Sequence, residues 1–193
     1  MDNFVYLFAR HGRGFVVDPG FEVPRLLLEI EEMGIALTHV LVTHGHPDHV
    51  QGVAEVKRRT GALVAAHKSA DHPVDVKLED GDEFEPAGIR VEVLHTPGHR
   101  FDAACFVVDG THLLTGDTLF VGECGRVDLP GSDVRAMHHT LLTKLAALPG
   151  KLVVCPGHDY GKTPTSTLEE ERRSNYTLQP RTLDAFERFM REP

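Results

Sequence analysis

The sequence predicts an α/β fold in which two β-sheets pack together and helices cover their outer faces. Two observations lead there. Short apolar runs of strand length, punctuated by Gly and Pro, recur along the 193 residues, and a smaller number of stretches carry apolar residues at helical spacing. The order is strands and a helix, then many strands, then helix, strand and helices, which is the order of a layered α/β arrangement. A third observation concerns placement. The chemically loaded residues all fall just after a predicted strand, where loops display functional groups on a rigid frame.

Residues 4–9 and 15–17 are apolar runs separated by His11-Gly12-Arg13-Gly14. They read as a hairpin that closes at Asp18-Pro19-Gly20. Residues 23–33 predict a helix, with Pro24 in its first turn, Gly34 as its stop, and Leu27, Ile30 and Met33 on one face. Residues 40–42 predict a strand running into a histidine cluster, and Pro47 opens a helix through about Arg59, closed by Gly61. Strands are predicted at 62–66, 74–77, 89–94, 104–108 and 112–115, with Asp109-Gly110 as a hairpin signal. Residues 134–148 predict a second long helix, 151–155 a strand, and 168–173 and 183–191 two further helices.

Length and composition set limits. A chain of 193 residues suggests one domain over 1–193, with a short helical tail. With 41% hydrophobic and 25% charged residues, it can bury a core without staples. No apolar run approaches the ~20 residues of a membrane span. The start lacks the basic region and apolar stretch of a signal peptide. Three cysteines, an odd and sparse number, fit a reducing cytoplasm. A net charge of −9 without a basic cluster argues against nucleic acid, where phosphate neutralisation supplies most of the affinity. The 13 histidines are unusual, and several stand in tight groups beside Asp, Gly and Pro.

Thr43-His44-Gly45-His46-Pro47-Asp48-His49 puts three imidazoles and a carboxylate in one strand-to-helix loop. Imidazole nitrogen and carboxylate oxygen are the ligands that zinc, iron and manganese favour. A lone histidine is more often a surface residue, but this density reverses that reading. Three further segments repeat the design of strand, tight turn and ligand-type residue. They are Thr96-Pro97-Gly98-His99, Thr115-Gly116-Asp117-Thr118 and Cys155-Pro156-Gly157-His158-Asp159-Tyr160.

These motifs resemble the HxHxDH signature and the later ligand motifs of the metallo-β-lactamase superfamily, in the same order. The resemblance runs from Asp2-Asn3-Phe4 to about Phe189. It implies an αββα sandwich, four layers deep. It also implies that His44, His46 and His99 hold one metal and that Asp48, His49 and His158 hold a second. Asp117 would bridge the two, and Asp48 and Asp117 would be the catalytic carboxylates. Two divalent metals, zinc first, would lower the pKa of a bound water so that hydroxide attacks a carbonyl.

Within the superfamily, Phe120-Val121-Gly122 leans toward glyoxalase II, a thioester hydrolase. The runs Gly125-Arg126-Val127-Asp128 and Ser166-Thr167-Leu168-Glu169-Glu170-Glu171-Arg172 lean toward the persulfide dioxygenases. Both branches act on a small thiol-derived substrate. The first expectation is hydrolysis of an acyl-glutathione thioester. The alternative is a single Fe(II) held by His44, His99 and Asp117, with open positions for oxygen and sulfur. Arg126 is a candidate for a substrate carboxylate or, equally, for an ion pair with Asp128. Tyr160 and Arg172 are pocket candidates by resemblance alone. Asp18 is expected to support the ligand loop from beneath. Cys124 reads as a small buried hydrophobe, and His39, His67, His72, His95, His112, His138 and His139 as structural or surface residues.

Overall fold

The computed structural model describes residues 3–191, so Asp2 lies outside the described residues. The hairpin forms as β1 (Tyr6–Arg10) and β2 (Arg13–Val17), antiparallel and turning at His11-Gly12. Helix α1 (Val23–Glu32) leads to β3 (Ala36–Leu41), which starts earlier than its apolar run suggested and lies parallel to β2. The helix predicted from Pro47 to Arg59 is in fact two, α2 (Pro47–Val50) and α3 (Val53–Thr60). At the break the chain passes the Asp18-Pro19-Gly20 corner so closely that a Cβ on Gly52 would lie 2.1 Å from the Pro19 carbonyl oxygen.

Strands β4 (Leu63–His67) and β5 (Val76–Leu78) continue in parallel and complete a five-stranded sheet of order β1-β2-β3-β4-β5. The chain then builds β6 (Glu83–Phe84), β7 (Val91–His95), β8 (Ala104–Val108) and β9 (His112–Gly116) as antiparallel neighbours. A small hairpin follows, β10 (Leu119–Phe120) with β11 (Glu123–Cys124). Helix α4 (Val134–His139) is capped by the Asp133 carboxylate, which accepts the Arg135 and Ala136 N–H groups. The predicted run to residue 148 continues as a wider π-turn over Thr140–Lys144 and a 3-10 turn over Leu145–Ala147. Strand β12 (Val153–Pro156), β13 (Ser166–Thr167), α5 (Leu168–Ser174) and α6 (Leu183–Phe189) finish the chain. The second sheet has six strands in the order β13-β12-β9-β8-β7-β6, with β12 parallel to β9.

Alternation along the strands decides the layers, because successive side chains point to opposite faces. Phe15 and Val17 of β2, Leu41 of β3, and Ala104, Phe106 and Val108 of β8 meet in one cluster between the sheets. Val16, Val40 and Val64 turn the other way and pack on Val23, Leu27 and Ile30 of α1 and Val53 and Val56 of α3. Cys105 and Val107 face Met137, Leu141, Leu145, Leu168 and Phe186 on the far side of the second sheet. Helix, sheet, sheet, helix is the αββα sandwich. Its central layer brings the ends of β3, β7, β9 and β12 to one edge, and all the ligand motifs follow those four strands.

Cys105, Cys124 and Cys155 are free and buried. Among the described residues no helix is long and apolar enough to cross a membrane.

Candidate metal centre

The four motifs converge. The Nε2 atoms of His44 and His99 lie 3.0 Å and 2.9 Å from Nδ1 of His46. Each outer imidazole spends its other nitrogen on a fixed acceptor. His99 Nδ1–H donates to the Arg126 carbonyl at 2.9 Å. His44 Nδ1–H donates to Thr43 Oγ1 at 3.1 Å, and that hydroxyl donates to Asp18 Oδ2 at 2.6 Å. The Nε2 atoms therefore present lone pairs toward the cluster. Three ring nitrogens gathered this closely would repel one another as bare lone pairs. Donors bonded at ~2.0 Å to one tetrahedral cation stand roughly 3.3 Å apart, close to the spacing here. The donor set fits a metal.

Electrostatics agree. Burial holds His44 well below the usual imidazole range and lowers His99 as well. Burial and the neighbouring His99 and Arg100 charges push His46 down to about 4. All three are neutral near pH 7 and free to act as ligands.

The second donor set is built around carboxylates. Helix α2 carries Asp48 and His49. Nδ1–H of His49 donates to Asp18 Oδ2 at 2.9 Å, which turns Nε2 toward Asp117 Oδ1 at 3.3 Å. His158 Nε2 stands 3.3 Å from both Asp48 Oδ2 and Asp117 Oδ2. His99 Nε2 is 3.6 Å from the same Asp117 oxygen, so this carboxylate reaches both sets. Within the buried floor, His49 Nε2 and Asp117 Oδ1 have no hydrogen-bond partner, the condition a cation would relieve. Burial opposes a charge on His49, yet Asp18 and Asp117 overcome it and push its pKa up to about 10. Burial is likewise overcome at His158, where Asp117 and Asp48 raise it to about 9. The bond from His158 holds the Asp48 carboxyl well below its usual range. Burial works against ionised Asp117 too, but the His158 and His49 contacts keep it strongly acidic. The field that retains protons on these two imidazoles is one a metal ion would take over.

Three groupings result, each with ligand atoms within 4.8 Å of one another. They are His44, His46 and His99; His44, His49 and Asp117; and Asp48, His49 and His158. All seven ligand-type residues read from the sequence are thus brought together. Asp18 supports the loop as expected, and it also accepts the Thr43 N–H at 2.7 Å.

The substrate candidates divide. Tyr160 stacks on His158, with ring centroids 4.8 Å apart and an interplanar angle of 5°, and meets Phe120 edge-on. Arg126 is forked onto Asp128 by two bonds of 2.6 Å, and its carbonyl rather than its guanidinium serves His99. Arg172 is bonded into the helical scaffold. Its guanidinium donates to the Leu145 and Leu148 carbonyls, tying α5 to the end of the α4 run. Those bonds give it a structural task.

Among the rejected histidines, His39 packs edge-on against Phe84. His67 is buried, not at the surface, and stacks on His95 with centroids 3.8 Å apart. The partners missed in the sequence are Asn3, whose amide donates to Asp48 Oδ2 at 3.1 Å, and the Arg100–Asp102 pair. Neither belongs to a ligand motif, and only the folded chain brings them to the loop.

Comparison with known proteins gives a concordant picture. A family model described as the metallo-beta-lactamase superfamily matches residues 2–74 and 68–158. The chain is 33% identical over 194 residues to a human protein named persulfide dioxygenase ETHE1, mitochondrial, covering 98% of this chain and 75% of that protein. It is 38% identical over 164 residues to a hydroxyacylglutathione hydrolase of Chromohalobacter salexigens, covering 82% of this chain and 63% of that protein. The fold superposes on the crystal structure of ETHE1 from Myxococcus xanthus with a TM-score of 0.93 at 30% identity, over 100% of this chain and 88% of that one.

Proposed function

The chain belongs to the metallo-β-lactamase superfamily, and from that premise we propose that it is an iron-dependent dioxygenase acting on a small thiol persulfide such as glutathione persulfide. The observation that carries this reading is the way the C-terminal segment is built into the site. Glu171 Oε2 accepts the Gly122 N–H at 2.8 Å and the Asn175 amide at 2.9 Å, and that amide also donates to the Glu123 carbonyl at 3.1 Å. Residues 166–178 thereby clamp the β10–β11 hairpin that follows Asp117. Residues 166–172 within it lean toward the dioxygenases in sequence, and the match to the Myxococcus protein runs through them.

Iron, when bound, would supply redox chemistry, and a two-histidine, one-carboxylate set would hold it. His44 and His99 offer Nε2, and Asp117 offers its carboxylate. The Arg126 carbonyl and the Thr43–Asp18 relay keep both imidazoles in the tautomer that can ligate. In the overall reaction the terminal sulfur of R–S–S⁻ loses four electrons to O2 and takes both oxygen atoms, giving R–S–SO2⁻ with the sulfur–sulfur bond intact.

A second reading rests on Asp117, whose carboxylate lies against His49 and His158 of one donor set and His99 of the other. That arrangement suits two metals and hydrolysis of a thioester such as an acyl-glutathione by hydroxide. On sequence alone this hydrolysis comes first; the clamped C-terminal segment supports putting the dioxygenase ahead of it. One preparation, split in two, separates the readings. The iron-loaded half is given glutathione persulfide in an oxygen electrode. The zinc-loaded half is given acyl-glutathione without oxygen. Oxygen uptake from the first and no thioester loss from the second is the expected result. Thioester loss from the zinc form with no oxygen uptake from the iron form would overturn the dioxygenase.

A further inference from the structure

The segment after His99 carries a buried ion pair to which the reading above gives no task. Arg100 is 8% exposed and Asp102 2%. Arg100 Nε donates to Asp102 Oδ1 at 2.9 Å, and another guanidinium nitrogen donates to Asp71. The second Asp102 oxygen, Oδ2, accepts the backbone N–H of Gly45 at 3.1 Å. Two residues further on, the Ala104 N–H donates to the Thr43 carbonyl at 2.8 Å. The entry to β8, in one sheet, is thus bonded at two points to the ligand loop that leaves the other.

Gly45 is the single residue between His44 and His46, so the plane of its peptide sets the direction in which both side chains depart. Contact here is close. A Cβ on Gly45 would stand 3.0 Å from Asp102 Oδ2, 3.0 Å from Asp71 Oδ1 and 3.2 Å from Arg100 Cζ. Burying a guanidinium and a carboxylate is a poor way to stabilise a fold, since apolar residues of the same volume often do as well or better. A fixed acceptor aimed at one backbone N–H is something apolar residues cannot provide.

We infer that Asp102, held by Arg100, is a positioning residue for the metal loop: its carboxylate fixes the Gly45 peptide and so aims the His44 and His46 ring nitrogens at His99. The inference rests on the metal-centre reading, whichever reaction that centre performs.

The test uses metal alone as probe. Metal-free full-length protein is titrated with zinc against a chromophoric chelator, and with cobalt to record the visible spectrum of the loaded site. Asp102→Ala is expected to weaken binding about ten- to hundredfold, the usual effect of removing an outer partner of a ligand, and to alter the cobalt spectrum. Asp102→Asn retains a carbonyl oxygen for Gly45 N–H while losing the charge facing Arg100. It is expected to stay within about threefold of wild type, and it keeps the test decisive if the alanine variant folds poorly. Wild-type affinity and spectrum in Asp102→Ala would overturn the proposal, as would an Asn variant as weak as the Ala variant. His99→Ala, a ligand under either reading, run in parallel separates the failures. If it binds like wild type, the donor set is wrong and the inference falls with it. If it loses metal while Asp102→Ala does not, the positioning claim alone falls.

Discussion

On the floor of the cluster, His44, His49 and His99 each give a ring N–H to a fixed acceptor, and those acceptors are themselves buried or backbone groups. At the mouth, Arg126 and Asp128 pair with each other, with both side chains 63% exposed, and Tyr160 is 60% exposed against His158. The floor is over-determined because a metal needs donors of one kind at one spacing with their tautomers fixed. The mouth is lightly held because its groups face water, and exposed ion pairs contribute little to stability. A change on the floor should therefore cost metal and activity together. A change at the mouth should alter substrate handling with little effect on the fold.

The largest expected effect is at Asp117. Asp117→Ala should lower turnover by at least about a thousandfold, ~4 kcal/mol of transition-state stabilisation. Metal content should fall while far-UV circular dichroism stays native. Wild-type turnover with full metal would break the comparison at its centre. Next comes Asp18→Ala, which strips an acceptor from the Thr43 N–H, the Thr43 hydroxyl and His49. Metal affinity should drop roughly ten- to hundredfold, and unfolding free energy by about 3 kcal/mol, because a buried N–H is left without a partner. Unchanged denaturation and affinity would show that the floor is less tightly held than its bonds suggest.

Arg172→Ala sharpens the border between floor, mouth and scaffold. Losing its bonds to the Leu145 and Leu148 carbonyls should lower stability by about 1 kcal/mol and leave KM alone. A severalfold rise in KM with no change in thermal midpoint would return Arg172 to the mouth. The smallest effect belongs to His138→Ala with His139→Ala. His138 Nε2 pairs with the Arg181 carbonyl on the helical side, away from the ligand motifs. Steady-state turnover should stay within a few fold. A loss of about a hundredfold, ~2.7 kcal/mol, would mean that the histidines have been divided wrongly.

What the sequence made legible follows the same line. His44, His46, Asp48, His49, His99, Asp117 and His158 could be read because each stands in a turn or a first helical turn just after a strand, and metal chemistry restricts its type. The layered α/β order was readable from the succession of strand-length apolar runs and helical stretches, and the αββα sandwich from the resemblance. The supports were harder to see. Asp18 reads locally as a turn residue, and its bond to His49 spans 31 positions. Asp102 and Gly45 are 57 positions apart. Hairpin β10–β11 has two residues per strand, too few for any period to show. His67 carries no local sign that it will stack on His95. Arg172 was placed by likeness alone, and only the packed helices reveal the carbonyls it caps.

The most direct test of the central claim is metal analysis of protein purified without added metal, with activity measured on the same sample. The account predicts iron at about one per chain, together with oxygen uptake on addition of glutathione persulfide. Zinc at about two per chain, with thioester hydrolysis and no oxygen uptake, would contradict it.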